Sequence, residues 1–344
     1  MPASYVTCPA IALPGHEITT QEIWEDIREQ QPNHPKLRII ERVLGNTGVE
    51  RRRFVRPLKH FSAPGGVADR VSEAFDDALA LATTAAQQAM ADAGLAPHDI
   101  DAIVTSHTTS WSVPNLDIRL INALGLRPDI HRLALATMAC AGGVQSLTRA
   151  HGLVQTRPGS RVLVVAAEAL SSVYHHEDTS MESMIWKALF GDSAGACIVT
   201  DTPFNSGLRI DDTWEFVLPH SVDRYSGRID HTGIHFDSTK AALHATRDVM
   251  PHIKAWTKDR VPQVPVVHPG SPRILTDVAQ GIGIEEKSMR HSWESLAERG
   301  NLGGVAILDI MSRTHHDPVG EGDALLLAFG PGFTAAAIQG QWQH

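Results

Sequence analysis

The sequence predicts an α/β fold made of two similar halves. Short, continuously apolar runs, such as those of residues 102–107 and 161–167, alternate with longer stretches that have helical periodicity. Strands that are apolar on both faces are typical of a mostly parallel sheet covered by helices on each side. Because the same order of elements occurs twice along the chain, we expect the sheet and its helices to occur twice.

A constant offset in numbering relates the two halves of the chain. His107 and Cys140 lie in the first half, and His268 and Asn301 are their counterparts in the second half. The number of residues from His107 to Cys140 equals the number from His268 to Asn301. A Gly-Gly-Val tripeptide follows Cys140 and Asn301 at the same distance. Several matches at one offset indicate an internal duplication, whose halves would pack about a pseudo-twofold axis and share helices between their sheets.

The duplication divides the chain into an N-terminal half, residues 1–205, and a C-terminal half, residues 206–344. The predicted elements in chain order are helix 81–95, strand 102–107, helix 117–126, helix 139–151, strand 161–167, helix 245–259, strand 263–268, helix 272–284, helix 300–311 and strand 323–329.

Composition excludes several functional classes. A net charge of -9 argues against a nucleic-acid-binding protein, and no apolar run reaches the roughly 20 residues that cross a bilayer. Three scattered cysteines do not form a disulfide framework, and the N-terminus lacks the pattern of a signal peptide, so we expect a cytoplasmic protein. The histidine pairs at residues 175–176 and 315–316 lack metal-ligand spacing, so no metal is expected.

The duplication also brings three reactive side chains toward one place. Cys140 and Asn301 open equivalent central helices, His268 ends a strand, and active sites of α/β sheets lie at the carboxyl ends of strands. A helix N-terminus and a nearby imidazolium would lower the pKa of a thiol, so Cys140 is a candidate nucleophile. His268 and Asn301 could stabilise an oxyanion. Taken alone, Cys140 is more typical of a buried core cysteine, His268 of a core histidine and Asn301 of a helix cap. The three residues together favour catalysis instead.

Five segments then occur in one order: the turn around Cys140, LFGDSAGA at 189–196, HPGSPRIL at 268–275, ERGNLGG at 298–304 and FGPGFT at 329–334. Together they resemble the type III polyketide synthases, the chalcone-synthase-like branch of the thiolase superfamily. The resemblance implies a thiolase fold of five αβαβα layers and a homodimer. It also implies elongation of a starter acyl-CoA with malonyl-CoA, without cofactor, metal or acyl carrier protein.

The same resemblance implies roles for individual residues. Cys140 would hold the growing chain as a thioester, while His268 and Asn301 would stabilise the enolate left by malonyl decarboxylation. Phe190 and Phe236 match the two gatekeeper phenylalanines between the coenzyme A tunnel and the cavity. Pro331 and Gly332 match residues of the cavity wall.

The segment of residues 108–115 is one residue shorter than the plant pattern and contributes three further pocket candidates. They are Thr109, Trp111 and Val113. The indole of Trp111 is expected to reduce the cavity volume or to redirect a growing chain. Val113 matches a residue that relatives extend across the dimer interface into the partner's site.

Two further departures from the family pattern concern the cyclisation of the product. Gly303 replaces the usual serine, and Ala328 replaces the first glycine of GFGPG. Both put the cyclisation mode in doubt rather than the condensation.

The phosphates of coenzyme A require cations. Arg51 opens the densest basic run of the chain, residues 51–56, and Arg42 and Arg273 are the other candidates. The positions of the family's tunnel-mouth cations fall near uncharged residues of this chain.

Three other functions remain open at this point. A thiolase-fold acyltransferase could transfer one acyl group or condense once, in the manner of a ketoacyl synthase III. A cysteine hydrolase shares the order Cys, His, Asn, but such enzymes usually carry the cysteine near the mature N-terminus. A non-catalytic scaffold is disfavoured because all three polar positions are intact.

Overall fold

A mixed β-sheet flanked by helices forms the core of the protein. The computed structural model describes residues 3–204 and 206–343. Its strands are β1 (Ser4–Val6), β2 (Ala10–Ala12), β3 (His16–Thr19), β4 (Arg51–Phe54), β5 (Ala102–His107), β6 (His131–Ala136), β7 (Val162–Glu168), β8 (Ser193–Thr200), β9 (Gly207–Val217), β10 (Tyr225–Asp230), β11 (Gly233–Ser238), β12 (Val264–Val267), β13 (Gly322–Gly330) and β14 (Thr334–Gln343).

Its helices are α1 (Thr20–Gln30), α2 (Leu37–Gly45), α3 (Leu58–Ser62), α4 (Val67–Asp92), α5 (Leu116–Leu124), α6 (Gly142–Thr156), α7 (Met181–Leu189), α8 (Ala245–Thr257), α9 (Pro272–Ile282), α10 (Arg290–Arg299) and α11 (Ala306–His316). The four predicted strands are confirmed as β5, β7, β12 and β13. The six predicted helices are confirmed as α4, α5, α6, α8, α9 and α11, although α4 begins well before its predicted start.

Two equivalent helices, α5 and α9, show how local sequence sets their ends. Asn115 and Ser271 cap the N-termini, each accepting a backbone N–H of the first turn with its side chain. Gly125 and Gly283 end the helices with φ values of 66° and 77°, in the left-handed region that glycine adopts without strain. Each helix is therefore confined to the span between two neighbouring strands.

The strand order of the main sheet is β12-β13-β14-β9-β1-β8-β7-β5-β6, with β2 pairing to β8. The pairs β5–β6, β5–β7 and β12–β13 are parallel, and the other pairs of this sheet are antiparallel. The expectation of a mostly parallel sheet is therefore wrong. β1 lies between β8 and β9 and joins the two halves into one hydrogen-bonded sheet, whereas β13 returns as β14 through a tight turn.

The register of the sheet confirms the duplication. Val104 on β5 pairs with Val164 on β7, and Pro265 on β12 pairs with Leu325 on β13. The second pair follows the first at the same offset in numbering that relates the two halves of the sequence. The two parallel strand pairs are therefore equivalent residue by residue.

The pseudo-twofold axis passes between two equivalent glycines. A Cβ at Gly143 would clash with the carbonyl oxygen of Gly304, and a Cβ at Gly304 would lie 3.2 Å from the nitrogen of Gly143. Equivalent residues meet only where a twofold axis runs, so the N-termini of α6 and of the segment leading into α11 face each other there. Glycine is required at both positions because the two backbones approach too closely for a side chain.

Five layers result from this packing, as expected. α6 and α11 lie between the sheet portions of the two halves, and their apolar residues form one cluster with both portions. α4 and α5 cover the outer face of the N-terminal strands, and α8 and α9 cover that of the C-terminal strands. Within the described residues, no helix is long and apolar enough to cross a membrane. The predicted boundary between the halves falls at residue 205, outside the described residues, and stays a prediction.

Candidate active site

The side chains of Cys140 and Asn301 meet at the pseudo-twofold axis. The Sγ atom of Cys140 lies 3.8 Å from both Oδ1 and Nδ2 of Asn301. The backbone N–H of Gly303 donates to Oδ1 of Asn301 over 2.9 Å, which orients the amide. The Nδ2–H group can donate to the sulfur, and Oδ1 keeps a second lone pair that can accept the S–H of the thiol.

Backbone conformation presents Cys140 to this site. Cys140 lies in a short 3-10 turn directly before α6, and its neighbour Ala139 has a φ of 49°. Gly300 precedes Asn301 in the same way, with a φ of 72°. Left-handed backbone at a non-glycine residue such as Ala139 is uncommon and concentrates at functional sites. Cys140 is half-buried, whereas Asn301 is buried.

His268 reaches the same end of the sheet from the neighbouring strand. Its backbone N–H donates to the carbonyl of Leu327 on β13 over 2.8 Å. β13 ends at Gly330, where a Cβ would lie 3.1 Å from the Cβ of Ala141, beside the nucleophile. Both ring nitrogens of His268 are buried and have no hydrogen-bond partner within the described chain. An unpartnered buried imidazole is costly, so a polar group of a substrate is its natural partner.

The thiol and the imidazole are both neutral in this site. Burial raises the pKa of Cys140 to about 12, the hydrogen bond from Asn301 opposes that rise, and the nearby Glu168 adds to it. Burial lowers the pKa of His268 to about 3. The expectation of a lowered thiol pKa is therefore wrong for this structure, because desolvation outweighs the helix N-terminus. A neutral imidazole nevertheless keeps a lone pair that can accept the thiol proton.

Glu168 is a buried acid beside the site that sequence reasoning missed. Its carboxylate accepts the backbone N–H and the hydroxyl of Thr108, over 3.2 and 2.9 Å. Burial raises the pKa of Glu168 to about 8, and these hydrogen bonds limit the rise. A Cβ at Gly303 would lie 3.1 Å from this side chain, so glycine leaves the room that Glu168 occupies. The available signal was an acidic residue closing a fully apolar strand.

The two predicted gatekeepers form one aromatic cluster. The rings of Phe190 and Phe236 lie 5.8 Å apart at an angle of 73°. Phe190 forms a backbone bridge with Asn301, which places the aromatic cluster next to this residue. Trp186, which sequence reasoning missed, stacks on Phe190.

Pro331 and Gly332 lie in the turn between β13 and β14, next to the nucleophile turn. Gly332 has a φ of 111°, and its carbonyl accepts the hydroxyl of Ser221 over 2.7 Å. The following residue, Phe333, packs against Tyr225 with ring centroids 6.0 Å apart.

Tyr225 connects this turn with the nucleophile and with a cation. Burial raises the pKa of Tyr225, the Cys140 thiol adds to the rise, and the charge of Arg273 opposes it. The phenol therefore lies within electrostatic range of both groups.

The segment after β5 is buried at its start and exposed further along. Thr109 is buried, and its hydroxyl donates to the carbonyl of Ala169 over 3.2 Å. Trp111 is 70% exposed and Val113 is 80% exposed. The structure therefore does not bring the Trp111 indole into the site of the same protomer, and its expected effect on cavity volume stays a prediction.

The basic run around residue 52 is mostly structural. Arg52 is fully buried and donates to the carbonyls of Ile18 and Ala188. Arg51 faces Glu298 across 3.5 Å, with about 40% of its side chain exposed. Arg56 pairs with Asp77 over 2.9 Å.

The other two cations lie on adjacent elements near the surface. Arg42 is exposed on α2 and has no ion pair within the described residues. Arg273 is exposed on α9 and lies 3.6 Å from Asp277. A Cβ at Gly48, in the loop after α2, would lie 2.8 Å from Pro272, so this loop contacts the start of α9. No group of three or more His, Cys, Asp or Glu side chains that could hold a metal occurs in residues 3–204 and 206–343.

Comparison with known proteins matches both halves. Residues 61–203 match the N-terminal domain of the chalcone and stilbene synthases, and residues 212–339 match their C-terminal domain. A 1,3,6,8-tetrahydroxynaphthalene synthase of Streptomyces griseus is 32% identical over 97% of this chain and 91% of that protein. A phloroglucinol synthase of Pseudomonas fluorescens is 29% identical over 98% of this chain and 99% of that protein.

Two solved structures of type III polyketide synthases are also similar to this chain over nearly its whole length. Germicidin synthase of Streptomyces coelicolor, a type III polyketide synthase, superposes with a TM-score of 0.95 and 31% identity over 99% of this chain and 100% of that chain. The tetrahydroxynaphthalene synthase of Streptomyces coelicolor superposes with a TM-score of 0.94 and 30% identity over 99% of both chains. The chain therefore belongs to the chalcone and stilbene synthase family and is a thiolase-fold acyltransferase of the type III polyketide synthase class.

Proposed function

We propose that the protein condenses a starter acyl-CoA with malonyl-CoA on Cys140 and releases a small aromatic polyketide, such as a pyrone or a resorcinol. The single observation that carries the proposal is the contact of 3.8 Å between the Cys140 sulfur and the Asn301 amide. The unpartnered ring nitrogens of the neighbouring His268 support it. The relatives named above are synthases whose products are aromatic, which supports the product class.

Loading of the starter needs a base. Burial favours the neutral forms of the Cys140 thiol and the His268 imidazole in the substrate-free site, so the thiol keeps its proton until a starter binds. His268 takes the thiol proton as the sulfur attacks the starter thioester. The carbon–sulfur bond to coenzyme A breaks, and the coenzyme A thiolate receives the proton that His268 holds. The starter then remains on Cys140 as a thioester.

Extension then needs an oxyanion site. Loss of carbon dioxide from malonyl-CoA leaves its electron pair as an enolate, whose oxygen accepts the Nδ2–H of Asn301 and the N–H of the neutral imidazole of His268. The enolate carbon attacks the thioester carbonyl, and Cys140 leaves as a thiolate. The product is a β-ketoacyl-CoA longer by two carbons, which can reload the same sulfur.

The coenzyme A phosphates would be held outside the gate by Arg42 and Arg273. The loop after α2 approaches the start of α9 at Gly48 and Pro272, so the two guanidinium groups would bind the phosphates from neighbouring elements. Arg273 also lies within electrostatic range of the Tyr225 phenol next to the nucleophile. Arg51 is the third candidate, and its exposed pair with Glu298 is weak enough to exchange for a phosphate. No cofactor, metal or acyl carrier protein enters this scheme.

We further propose that the enzyme is a homodimer in the cytoplasm. β6 pairs only with β5 among the described strands, so its other edge offers free backbone groups to a second chain. Trp111 and Val113 are large apolar side chains exposed nearby, as residues of an interface are in an isolated protomer. The three free cysteines suit a reducing compartment.

Light scattering is expected to give twice the chain mass of 37.3 kDa. A Val113→Asp variant is expected to lower that mass and the activity together, because a buried charge opposes the interface. The Val261→Asp variant, at another exposed valine, is the matched control and should stay dimeric. A wild-type mass of one chain would refute the dimer.

The proposed reaction is tested by incubating the purified enzyme with malonyl-CoA and a panel of starter acyl-CoAs, followed by mass analysis. We expect products that exceed the starter by two or more two-carbon units, with one carbon dioxide released for each unit. A single extension would identify a one-step ketoacyl synthase instead. Free acid without carbon dioxide would identify a hydrolase and refute the synthase.

A further inference from the structure

We propose that Trp186 is a third member of the aromatic gate and that it restricts the starter to short acyl groups. This inference rests on the proposed condensation and names the substrate class of that same site. The gate consists of Trp186, Phe190 and Phe236, and the family resemblance assigned only the two phenylalanines.

Trp186 contacts both phenylalanines, each in a different way. Its indole lies parallel to the Phe190 ring, with centroids 5.2 Å apart and an angle of 9°. Its Nε1–H donates to the backbone carbonyl of Phe236 over 2.8 Å. The indole also meets the Phe236 ring edge-on at 6.5 Å. One side chain therefore fixes the ring of the first gatekeeper and the strand that carries the second.

The position of Trp186 is between the surface and the thiol. On one side its indole packs against Val49, Leu189 and Leu296, which lie near the end of α2 and within α7 and α10. On the other side it packs against the cluster of Leu170, Val173 and Phe190. The α2 side carries the candidate coenzyme A cation Arg42, and the Phe190 side adjoins Asn301 through the backbone bridge. An acyl thioester moving from α2 to the thiol therefore passes the indole.

A gate held at two points cannot widen easily. Rotation of the indole would cost both the parallel stacking with Phe190 and the hydrogen bond to Phe236. Trp186 is half-buried, so its indole is not fully enclosed by the neighbouring side chains. A starter of about two to four carbons fits beside a fixed indole, whereas a starter of about eight carbons needs the volume that the indole fills, and each rejected methylene discriminates by about tenfold or more.

The test measures acylation of Cys140 by intact mass with equimolar acetyl-CoA and octanoyl-CoA in competition. The wild type is expected to load acetyl groups by preference. Trp186→Ala should raise the octanoyl-to-acetyl ratio by about tenfold or more, because at least one discriminating methylene contact is relieved. Trp186→Phe keeps a stacked ring and loses the Nε1–H donor, so it should raise the ratio less than Trp186→Ala does.

A matched control exists in the second half. Trp256 is also half-buried, stacks on Trp214 at 5.7 Å and donates its Nε1–H to Asp212 over 2.9 Å. Trp256→Ala and Trp256→Phe remove the same kinds of contact away from the gate and should leave the ratio within about twofold of the wild type. A melting curve of each variant shows that it is folded, and Trp186→Leu replaces Trp186→Ala if that variant does not fold.

Two results would overturn the inference while leaving the proposed function intact. One is a wild type that loads octanoyl groups as fast as acetyl groups. The other is a folded Trp186 variant that loads acetyl groups at Cys140 with an unchanged ratio. A wild type that no acyl-CoA acylates at Cys140 would instead refute the proposed function, and the inference with it.

Discussion

Replacing Cys140 with alanine is expected to abolish polyketide formation, by at least about 10³-fold, while malonyl-CoA decarboxylation stays measurable. The chain cannot be held as a thioester without the sulfur, so no carbon–carbon bond forms on the enzyme. Decarboxylation depends instead on the two groups that stabilise the enolate oxygen, His268 and Asn301, and neither is changed. The variant should therefore convert malonyl-CoA to acetyl-CoA and carbon dioxide without extending a starter.

Mass analysis of acyl-CoA products and radiometric counting of released carbon dioxide separate the two activities. Cys8→Ala is the matched control, because Cys8 is half-buried near the N-terminus and contacts none of the site residues named above. Its product yield should equal that of the wild type. Polyketide formed by the Cys140→Ala variant above about one part in 10³ would contradict a covalent role for this sulfur.

Removing the Asn301 donor is expected to lower decarboxylation and condensation together, each by about 10²- to 10³-fold, the usual loss for one oxyanion donor. Asn301→Asp is the sharpest variant. Its carboxylate can still accept the N–H of Gly303, which now donates over 2.9 Å, so the local fold is retained. The Nδ2–H is lost, and a negative charge faces the developing enolate.

The measurement is the single-turnover rate of carbon dioxide release at saturating malonyl-CoA. Asn122→Asp provides a control, because Asn122 is exposed and its amide donates only to the carbonyl of Ile118. His268→Ala should cause a loss comparable to that of Asn301→Asp, since it removes the second donor. If Asn301→Asp decarboxylates at the wild-type rate, the amide is structural and the oxyanion assignment fails.

The sequence led directly to the two halves, four strands, six helices and the three central polar residues. These features are local or periodic. The strands that contain Val104 and Pro265 could be recognised because buried strands are continuously apolar. They could be matched to each other because equivalent residues of the two halves differ by a constant number of positions. Cys140 and Asn301 could be paired for the same reason, since equivalent positions must lie near a pseudo-twofold axis.

Other features depend on which segments touch. Sequence reasoning missed strand β6, whose apolar run is only four residues long, and the hairpin of β10 and β11, which has no apolar run. The basic run suggested a phosphate site, yet Arg52 is buried because carbonyls of distant segments surround it. Glu168 and Trp186 matter through partners far along the chain.

Local pattern therefore specified the principal strands and helices of each half and the candidate nucleophile. The pKa of Cys140, the position of Glu168 beside it and the contacts of Trp186 with the two phenylalanines were decided by packing. The physical reason is that one segment buries another, and this burial sets how far each side chain is desolvated and which side chains it contacts. The segments involved are distant in sequence, so a periodic pattern along the chain does not reveal them. The rise of the Cys140 pKa to about 12 is the clearest case, because the helix N-terminus visible in the sequence predicted the opposite sign.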